Sequence, residues 1–532
     1  MHDEQTHLIP PVSLVQGKAD MSADRKPNVL FIAIDDLRPF LGCYGDPNAH
    51  TPNIDALTKQ GILFSNAMCP APSCGPSRAA LMTGQHPTRT GIYGFQDWAG
   101  REDFESVVTL PEYFRNNGYK TFSSGKIHHN SLRVHSYTKH AVQVNRASDD
   151  PESTVMVPRA DREWSVNNLH AVSNARYNHE PCLPDCIDWS GGGGEGPPER
   201  VKLVSGPSDD PVMDCMDGVT ARFGRDVLRQ EHEKPFFLAT GFVRPHLPFI
   251  APRKYFERYP LDELELHPIK DDDLADCPWV ARRNARVWDD MHVRAADPRG
   301  RARVIQAYYA CASFVDDMVG MVLDALANSP YADNTIVVFW SDHGWHLGEK
   351  RSWRKFSLWE ESARTPMIIV DPRREETAGS TCRRPTGLID LYPTLADLCG
   401  LAVPDHLDGT SLRPLLEDPA SDAPALGEPE LTIQGRGNYS LRDEQWRYTR
   451  YFDGGEELYN HQEDPYEWDN LADDPAHADV KEHFVSLLPK ESAPTFEPRG
   501  LSCWADADKE DMEQFKNEAW PVWLEEAVPP IV

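Results

Sequence analysis

Residues 28–36 read N-V-L-F-I-A-I-D-D, a nearly unbroken apolar run followed by two adjacent carboxylates. An apolar run of strand length with no polar face is the mark of a strand buried on both sides, as in a parallel sheet covered by helices. Asp35 and Asp36 fall at its carboxyl end, where open α/β sheets bind their ligands. Neighbouring carboxylates repel unless a cation offsets them. An acidic turn would account for one such pair, but the pattern recurs far along the chain. There T-I-V-V-F-W-S (335–341) is followed by Asp342 and His343. Two strand ends carrying D-D and D-H can converge on one hard divalent ion.

Working outward, residues 73–84 read S-C-G-P-S-R-A-A-L-M-T-G. Pro76 suits a first helical turn, residues 78–82 are good helix formers, and Gly84 can cap the end. The spacing predicts Cys74 at the N-terminal mouth of a short helix, where free N–H groups and the macrodipole favour an anion. Arg78, one turn on, brings a fixed positive charge to the same anion. A cysteine phosphatase would need a phosphate-cradling loop, and Gly75, Pro76 and Ser77 are too few to form one. A buried thiol in a turn is the plain alternative.

The chain has 532 residues, enough for a large core and two unequal domains. A formal charge of −30 argues against nucleic-acid binding through counterion release. A polyanionic substrate would have to be drawn in by a local basic pocket. No apolar run approaches the roughly 20 residues that cross a bilayer. Residues 1–27 lack a basic start and an apolar core, so they read as a polar extension without a secretory signal. The expected compartment is cytoplasmic, or periplasmic, secreted or lysosomal if a leader was removed. Eleven cysteines show no small-domain disulfide framework. His179, Cys182 and Cys186 form a loose metal-like spacing that arises readily by chance.

Cationic candidates follow the remaining strand-like stretches. Lys126 and His129 lie in S-S-G-K-I-H-H-N after residues 119–122, with His128 as a competitor. His246 lies in G-F-V-R-P-H-L-P-F after residues 235–240, and Lys355 in S-W-R-K-F-S-L-W-E. Residues 131–211 lack periodicity and include S-G-G-G-G-E-G-P-P, so they read as an insertion that shapes the pocket mouth. R-R-N-A-R and P-R-G-R-A-R, near 282–303, are either a solvated face or a site for a second sulfate or a carboxylate. Residues 305–326 carry helical spacing. After a Pro- and acid-rich connector, L-T-I-Q, Y-S-L-R and W-R-Y-T-R-Y-F predict short antiparallel strands.

C-G-P-S-R-A-A-L-M-T-G resembles the signature C-x-P-S-R-x-x-x-L-T-G of the type I, formylglycine-dependent sulfatases, with Met82 in place of the usual Leu. The stretches around Lys126, His246 and Lys355 resemble the family's G-K-x-x-H, P-H-x-P and W-x-K motifs, and G-K-x-x-H selects His129. D-D-L-R-P-F-L-G-C-Y-G, T-P-N-I-D-A-L, S-D-H-G-W-H-L-G-E and L-I-D-L-Y-P-T-L-A-D-L resemble the iduronate-2-sulfatase-like branch. The resemblance covers residues 28 to about 471.

It implies an α/β fold of the alkaline-phosphatase-like type, a mixed sheet flanked by helices, with a smaller C-terminal α+β lobe. The implied layout is a catalytic domain at 28–425 and an antiparallel-sheet subdomain at 426–532. It implies that Cys74 is oxidised to formylglycine (3-oxoalanine) by a formylglycine-generating enzyme. Asp35, Asp36, Asp342, His343 and the modified Cys74 would hold Ca2+ (Mg2+ possible); imidazole is softer than calcium's preferred oxygen ligands, so His343 leaves the metal's identity slightly open. Arg78, Lys126 and Lys355 would neutralise the sulfuryl group, His246 would act as general acid, and His129 would take the proton of the remaining hydroxyl. Asp97, Trp98, Trp345 and His346 are substrate-side candidates. The implied activity is hydrolysis of sulfate esters, most directly O-sulfate on a sugar or polysaccharide fragment. Rival readings are a phosphonate monoester or phosphodiester hydrolase on the same fold, and a non-catalytic binder of sulfated glycans.

Overall fold

The computed structural model describes residues 25–96, 98, 104, 106–129, 187–188, 204–209, 211–213, 215–287, 299–421, 426 and 428–495. Asp97, the His179/Cys182/Cys186 group and most of the 131–211 insertion lie outside them.

The apolar run becomes strand β1 (Asn28–Asp35), all eight residues of it buried. Its side chains alternate between two cores. Leu30, Ile32 and Ile34 pack into one cluster, and Val29, Phe31 and Ala33 into the other. Each such burial stabilises by about 1.5–3 kcal/mol for a large side chain, which is why both faces must be covered.

The sheet also contains β2 (Ile62–Met68), β3 (Lys120–Gly125), β4 (Phe236–Pro245), β5 (Thr335–Ser341), β6 (Arg364–Val370), β7 (Thr381–Cys382) and β8 (Thr386–Gly387). Its order is β7-β2-β6-β5-β1-β4-β3, with β8 also on β2. β1 runs parallel to β4 and β5, β3 runs parallel to β4, and β6 is antiparallel to β2 and β5. The sheet is therefore mixed. Its four parallel strands β3, β4, β1 and β5 all end at one edge.

Helices α1 (Pro52–Thr58), α2 (Cys74–Thr83), α3 (Met216–Leu228), α4 (Trp279–Val287), α5 (Gly300–Ala327) and α6 (Leu391–Leu398) follow in chain order. α1, α3 and α5 cover the face of Leu30, Ile32 and Ile34, while α2 and α6 cover the other. α5 contains the helical run expected at 305–326, extended at its N-terminus. No helix among the described residues is long and apolar enough to cross a membrane.

The C-terminal lobe is an antiparallel sheet of β9 (Glu430–Ile433), β10 (Tyr439–Arg442), β11 (Trp446–Arg450) and β12 (Glu456–Asn460), in sequence order. It does not hang free. Ile433 N–H donates to Pro70 O at 3.0 Å and Thr432 Oγ1 to Cys69 O at 2.7 Å, just ahead of α2. Arg447, fully buried, pairs with Glu467 at 2.7 Å and with Glu360, and donates to Leu358 O at 3.2 Å.

Candidate active site

The parallel edge collects polar groups from every one of these strand ends. Asp35 and Asp36 leave β1, Lys126 follows β3, His246 follows β4, and Asp342 and His343 follow β5. Local chemistry explains each exit. Gly125 takes φ +78°, and a Cβ there would overlap the Gly241 carbonyl of β4. Only glycine lets β3 approach β4 and turn Lys126 inward, its N–H on Gly241 O at 2.9 Å. Asp36 also adopts a left-handed backbone, φ 62°. Tyr308 of α5 fixes that turn, donating to Asp36 O at 2.8 Å and accepting from Arg38 N–H at 2.9 Å. Arg244 braces the His246 loop through Ile250 O and His246 O, at 2.8 and 2.9 Å.

α2 begins at Cys74, as the spacing predicted, and all ten of its residues are buried. Ser77 Oγ donates to Asp342 O at 2.6 Å, which docks the helix start on the β5 exit. Arg78 lies inside the cluster. Its Nε donates to Asp342 Oδ2 at 2.7 Å, its Nη2 reaches Asp35 Oδ1 at 3.4 Å, and its Nη1 serves the carbonyls of Lys126 and Ile127. Lys126 Nζ sits 2.6 Å from Asp35 Oδ2, and Lys355 Nζ 2.6 Å from Asp36 Oδ1. Cys74 Sγ lies 2.8 Å from Lys355 Nζ, 3.4 Å from His343 Nε2 and 3.7 Å from Asp36 Oδ1.

Three buried carboxylates thus meet three fixed cations. Burial pushes Asp35 up, but Lys126, Arg78 and Lys355 outweigh it and hold the carboxyl well below its usual range. Burial likewise pushes Asp36 up; Lys355 opposes, while Cys74 and Asp35 add to the rise, so it ends well above. Burial raises Cys74 too, against Lys126 and Lys355, so the thiol keeps its proton. That makes it a poor nucleophile as a thiol.

The donor set suits a divalent cation. His343 Nδ1 donates to Gly344 O at 2.8 Å, so in the neutral ring the Nε2 lone pair faces Asp36 Oδ1 at 3.2 Å. Burial holds that ring neutral. The Nε2 lone pair and the Asp36 carboxylate could both ligate a cation placed between them. Asp36 Oδ2 is buried without a hydrogen-bond partner, 3.8 Å from His246 Nε2. Ligand atoms of Asp36, Cys74, Asp342 and His343 all lie within 4.8 Å of one another, as do those of Asp35, Asp36, Cys74 and His246. Another group, Glu360, His461 and Glu467, already has its charge met by Arg442 and Arg447.

The other candidates fall into two groups. His129 stacks on Phe95 at 4.5 Å, and Phe95 presses on Gly75, where a Cβ would come within 2.7 Å of the ring. His129 is therefore one ring away from the start of α2. Trp98 packs with Phe104 and Ala79 beside that helix. Trp345 and His346, expected at the substrate side, are interior residues at 1% and 0% exposure. Trp345 lies beneath the Lys355 ammonium, 5.5 Å away, and His346 Nε2 meets Ser357 Oγ at 2.7 Å. Both support the Lys355 loop. The basic segments are largely engaged as well: Arg283 stacks over Trp279 at 5.8 Å, Arg299 pairs with Asp262 at 2.8 Å, and Arg301 donates to His267 O at 2.6 Å. Sequence reasoning missed Phe95, Tyr308 and Gln434, whose contacts are made across the fold and leave no local pattern.

Residues 27–401 match the sulfatase family model, and residues 348–493 match the model of the C-terminal part of N-sulphoglucosamine sulphohydrolase. A sulfatase of Formosa agariphila is 36% identical over 477 residues, 88% of this chain and 87% of the relative. Iduronate 2-sulfatase of Homo sapiens is 32% identical over 418 residues, 71% of this chain and 70% of the relative. In fold, the chain is similar to the phosphonate monoester hydrolase of Agrobacterium radiobacter (TM-score 0.65, 22% identity, 87% of this chain and 94% of that one). It is also similar to a 2-O GAG sulfatase (TM-score 0.63, 23% identity, 87% and 91% covered). Motifs, edge geometry and these matches agree: the chain belongs to the sulfatase family, whose named members are sulfuric ester hydrolases.

Proposed function

We propose that this protein hydrolyses O-sulfate esters of a sugar or polysaccharide fragment, with Cys74 matured to 3-oxoalanine and Asp35, Asp36, Asp342 and His343 holding Ca2+. The observation that carries this reading is the position of Cys74. Its Sγ is buried at a helix start, between Lys355 at 2.8 Å and the His343 and Asp36 pair at 3.4 and 3.7 Å. A thiol held protonated there has little use as it stands. Oxidation to the aldehyde supplies a hydrate as nucleophile, and the bound calcium supplies Lewis acidity toward a sulfate oxygen.

The chain's own residues do the rest. Charge balance in the cluster is already met by Arg78, Lys126 and Lys355, so a divalent ion leaves it positive by two charges. A sulfate monoester and an ionised nucleophile would cancel that excess. The three cations then neutralise charge that develops on the transferring group. His246 Nδ1 donates to Leu247 O at 2.7 Å, so Nε2 is the atom that can pass a proton to the leaving oxygen. Burial, Lys355 and Lys126 hold His246 well below its usual value, and a bound sulfate anion would oppose the two lysines. His129, half-buried against Phe95, would take the proton of the second hydroxyl. The iduronate 2-sulfatase relative supports a sulfated sugar as substrate.

The test is the mass of the Cys74 peptide from protein made with a formylglycine-generating enzyme. Conversion of thiol to aldehyde removes about 18 Da. The aldehyde-bearing protein is then expected to release sulfate from sulfated uronates or hexosamines. Aldehyde-bearing protein that leaves sulfate esters intact, or turns over aryl phosphodiesters faster, overturns the reading.

A further inference from the structure

Backbone strain in this protein is concentrated around Lys355. Among the described residues, the non-glycine positions with positive φ are Asp36, Lys350, Arg351, Phe356 and Glu467. Asp36 binds the Lys355 ammonium, and Lys350, Arg351 and Phe356 belong to its loop. Glu467 holds that loop from the C-terminal lobe, its Oε2 accepting Glu360 N–H at 2.9 Å and its carbonyl accepting Lys350 Nζ. A bulky residue in the left-handed region persists only where its surroundings over-determine it. Phe356, at φ 74°, directly follows Lys355.

Contacts from several parts of the fold hold Phe356. Its N–H donates to Pro72 O at 3.0 Å, just before α2. Its ring meets Phe95 edge-on at 6.0 Å. Its carbonyl accepts the side-chain amide of Gln434, the residue directly after β9. Gln434 is itself fixed. Its Oε1 accepts Asn284 Nδ2 of α4 at 3.2 Å, and its main chain pairs with Asn438 at 3.1 and 2.8 Å. A carbonyl can only accept, so the amide nitrogen must face Phe356.

We propose that Gln434 is a positioning residue for Lys355: by pinning the Phe356 carbonyl, the C-terminal lobe sets the lysine's place over Asp36 and Cys74. The proposal rests on the reading of Lys355 as a cation of the sulfuryl site. A side chain that has lost this anchor can shift by about an ångström, enough to cost up to about 100-fold in rate.

The test uses full-length, matured, calcium-loaded protein with 4-methylumbelliferyl sulfate as probe, and calorimetric titration with inorganic sulfate. Gln434→Glu keeps the shape and the acceptor for Asn284 but replaces the donor facing Phe356 with an acceptor. It is expected to lower kcat about 10- to 100-fold and weaken sulfate binding, with some loss of melting temperature from the buried carboxylate. Gln434→Met, without the added charge, should act in the same direction. In a Lys355→Ala background neither change should cost anything further, because the group being positioned is gone. General loosening of the lobe would instead cost the same in both backgrounds, and that result overturns the proposal, as does a wild-type rate for Gln434→Glu. If Lys355→Ala alone keeps the wild-type rate and sulfate affinity, the role of Lys355 is what fails. Wild-type protein that neither cleaves the probe nor binds sulfate overturns the sulfatase reading and this inference together.

Discussion

Arg78→Ala separates the structural from the chemical role of the site's central cation. The guanidinium is buried, 1% exposed, and joins the exits of three strands: Asp342 on β5, Asp35 on β1, and the Lys126 and Ile127 carbonyls after β3. Its loss does not strand both carboxylates equally. Asp35 keeps Lys126 at 2.6 Å, whereas Asp342 Oδ2 loses its 2.7 Å donor and Oδ1 is left with the Asp36 N–H at 3.1 Å and His343 Nε2 at 3.7 Å. One buried carboxylate is orphaned, a loss of about 3–5 kcal/mol. Bound calcium would take over part of that role at Asp342. The deficit should therefore be large in chelator and smaller in excess calcium, read as paired melting temperatures of wild type and variant. Arg78→Lys restores one charge without the fork and should recover only part of it. Turnover of a sulfate ester is expected to fall by about 10²–10³-fold in either condition. A variant that melts with the wild type in chelator and keeps kcat within about threefold would refute the argument.

Cys74→Ser should melt with the wild type and release no sulfate, because a serine hydroxyl that has taken up the sulfuryl group leaves no second geminal hydroxyl to expel it; a near-normal rate would sink the mechanism. Arg447→Met removes the donor shared by Glu467 and Glu360. Arg442 at 3.2 Å and His461 at 3.0 Å remain as partners, so the expected loss is near 3 kcal/mol, at the low end for a broken buried pair. Faster amide exchange across 430–460 would report it. Asp316 caps α1 through Asn53 and Ile54 N–H, and burial, against those donors, raises its carboxyl from 3.8 to about 7. The folded state keeps a proton that the unfolded chain gives up. Its contribution is thus complete below about 3.8 and lost as pH rises through about 7. Asp316→Asn should flatten the corresponding fall in melting temperature between about pH 5 and 8, and an unchanged slope would count against it.

The candidate site residues were legible because each sits at the end of a local pattern. β1 and β5 are continuous apolar runs, and a run buried on both faces can end only at an edge, so D-D and D-H had to lie there. G-K is legible for the same reason, since Gly125 marks the one place where β3 can pass that close to β4. Trp345 and His346 read as substrate-side candidates, although composition does not say which way a turn faces. Only the packed structure shows Trp345 under Lys355 and His346 on Ser357. The supports were illegible for a deeper reason. Gln434 reaches Phe356 across 78 residues and Asn284 across 150, each through a single contact. A lone hydrogen bond between distant loops imposes no periodicity on either. R-R-N-A-R drew attention for its arginines, yet its asparagine, Asn284, is the residue tied to the Lys355 loop. Charge marks where an anion can be bound; where the charge stands depends on neutral groups that no composition bias reveals.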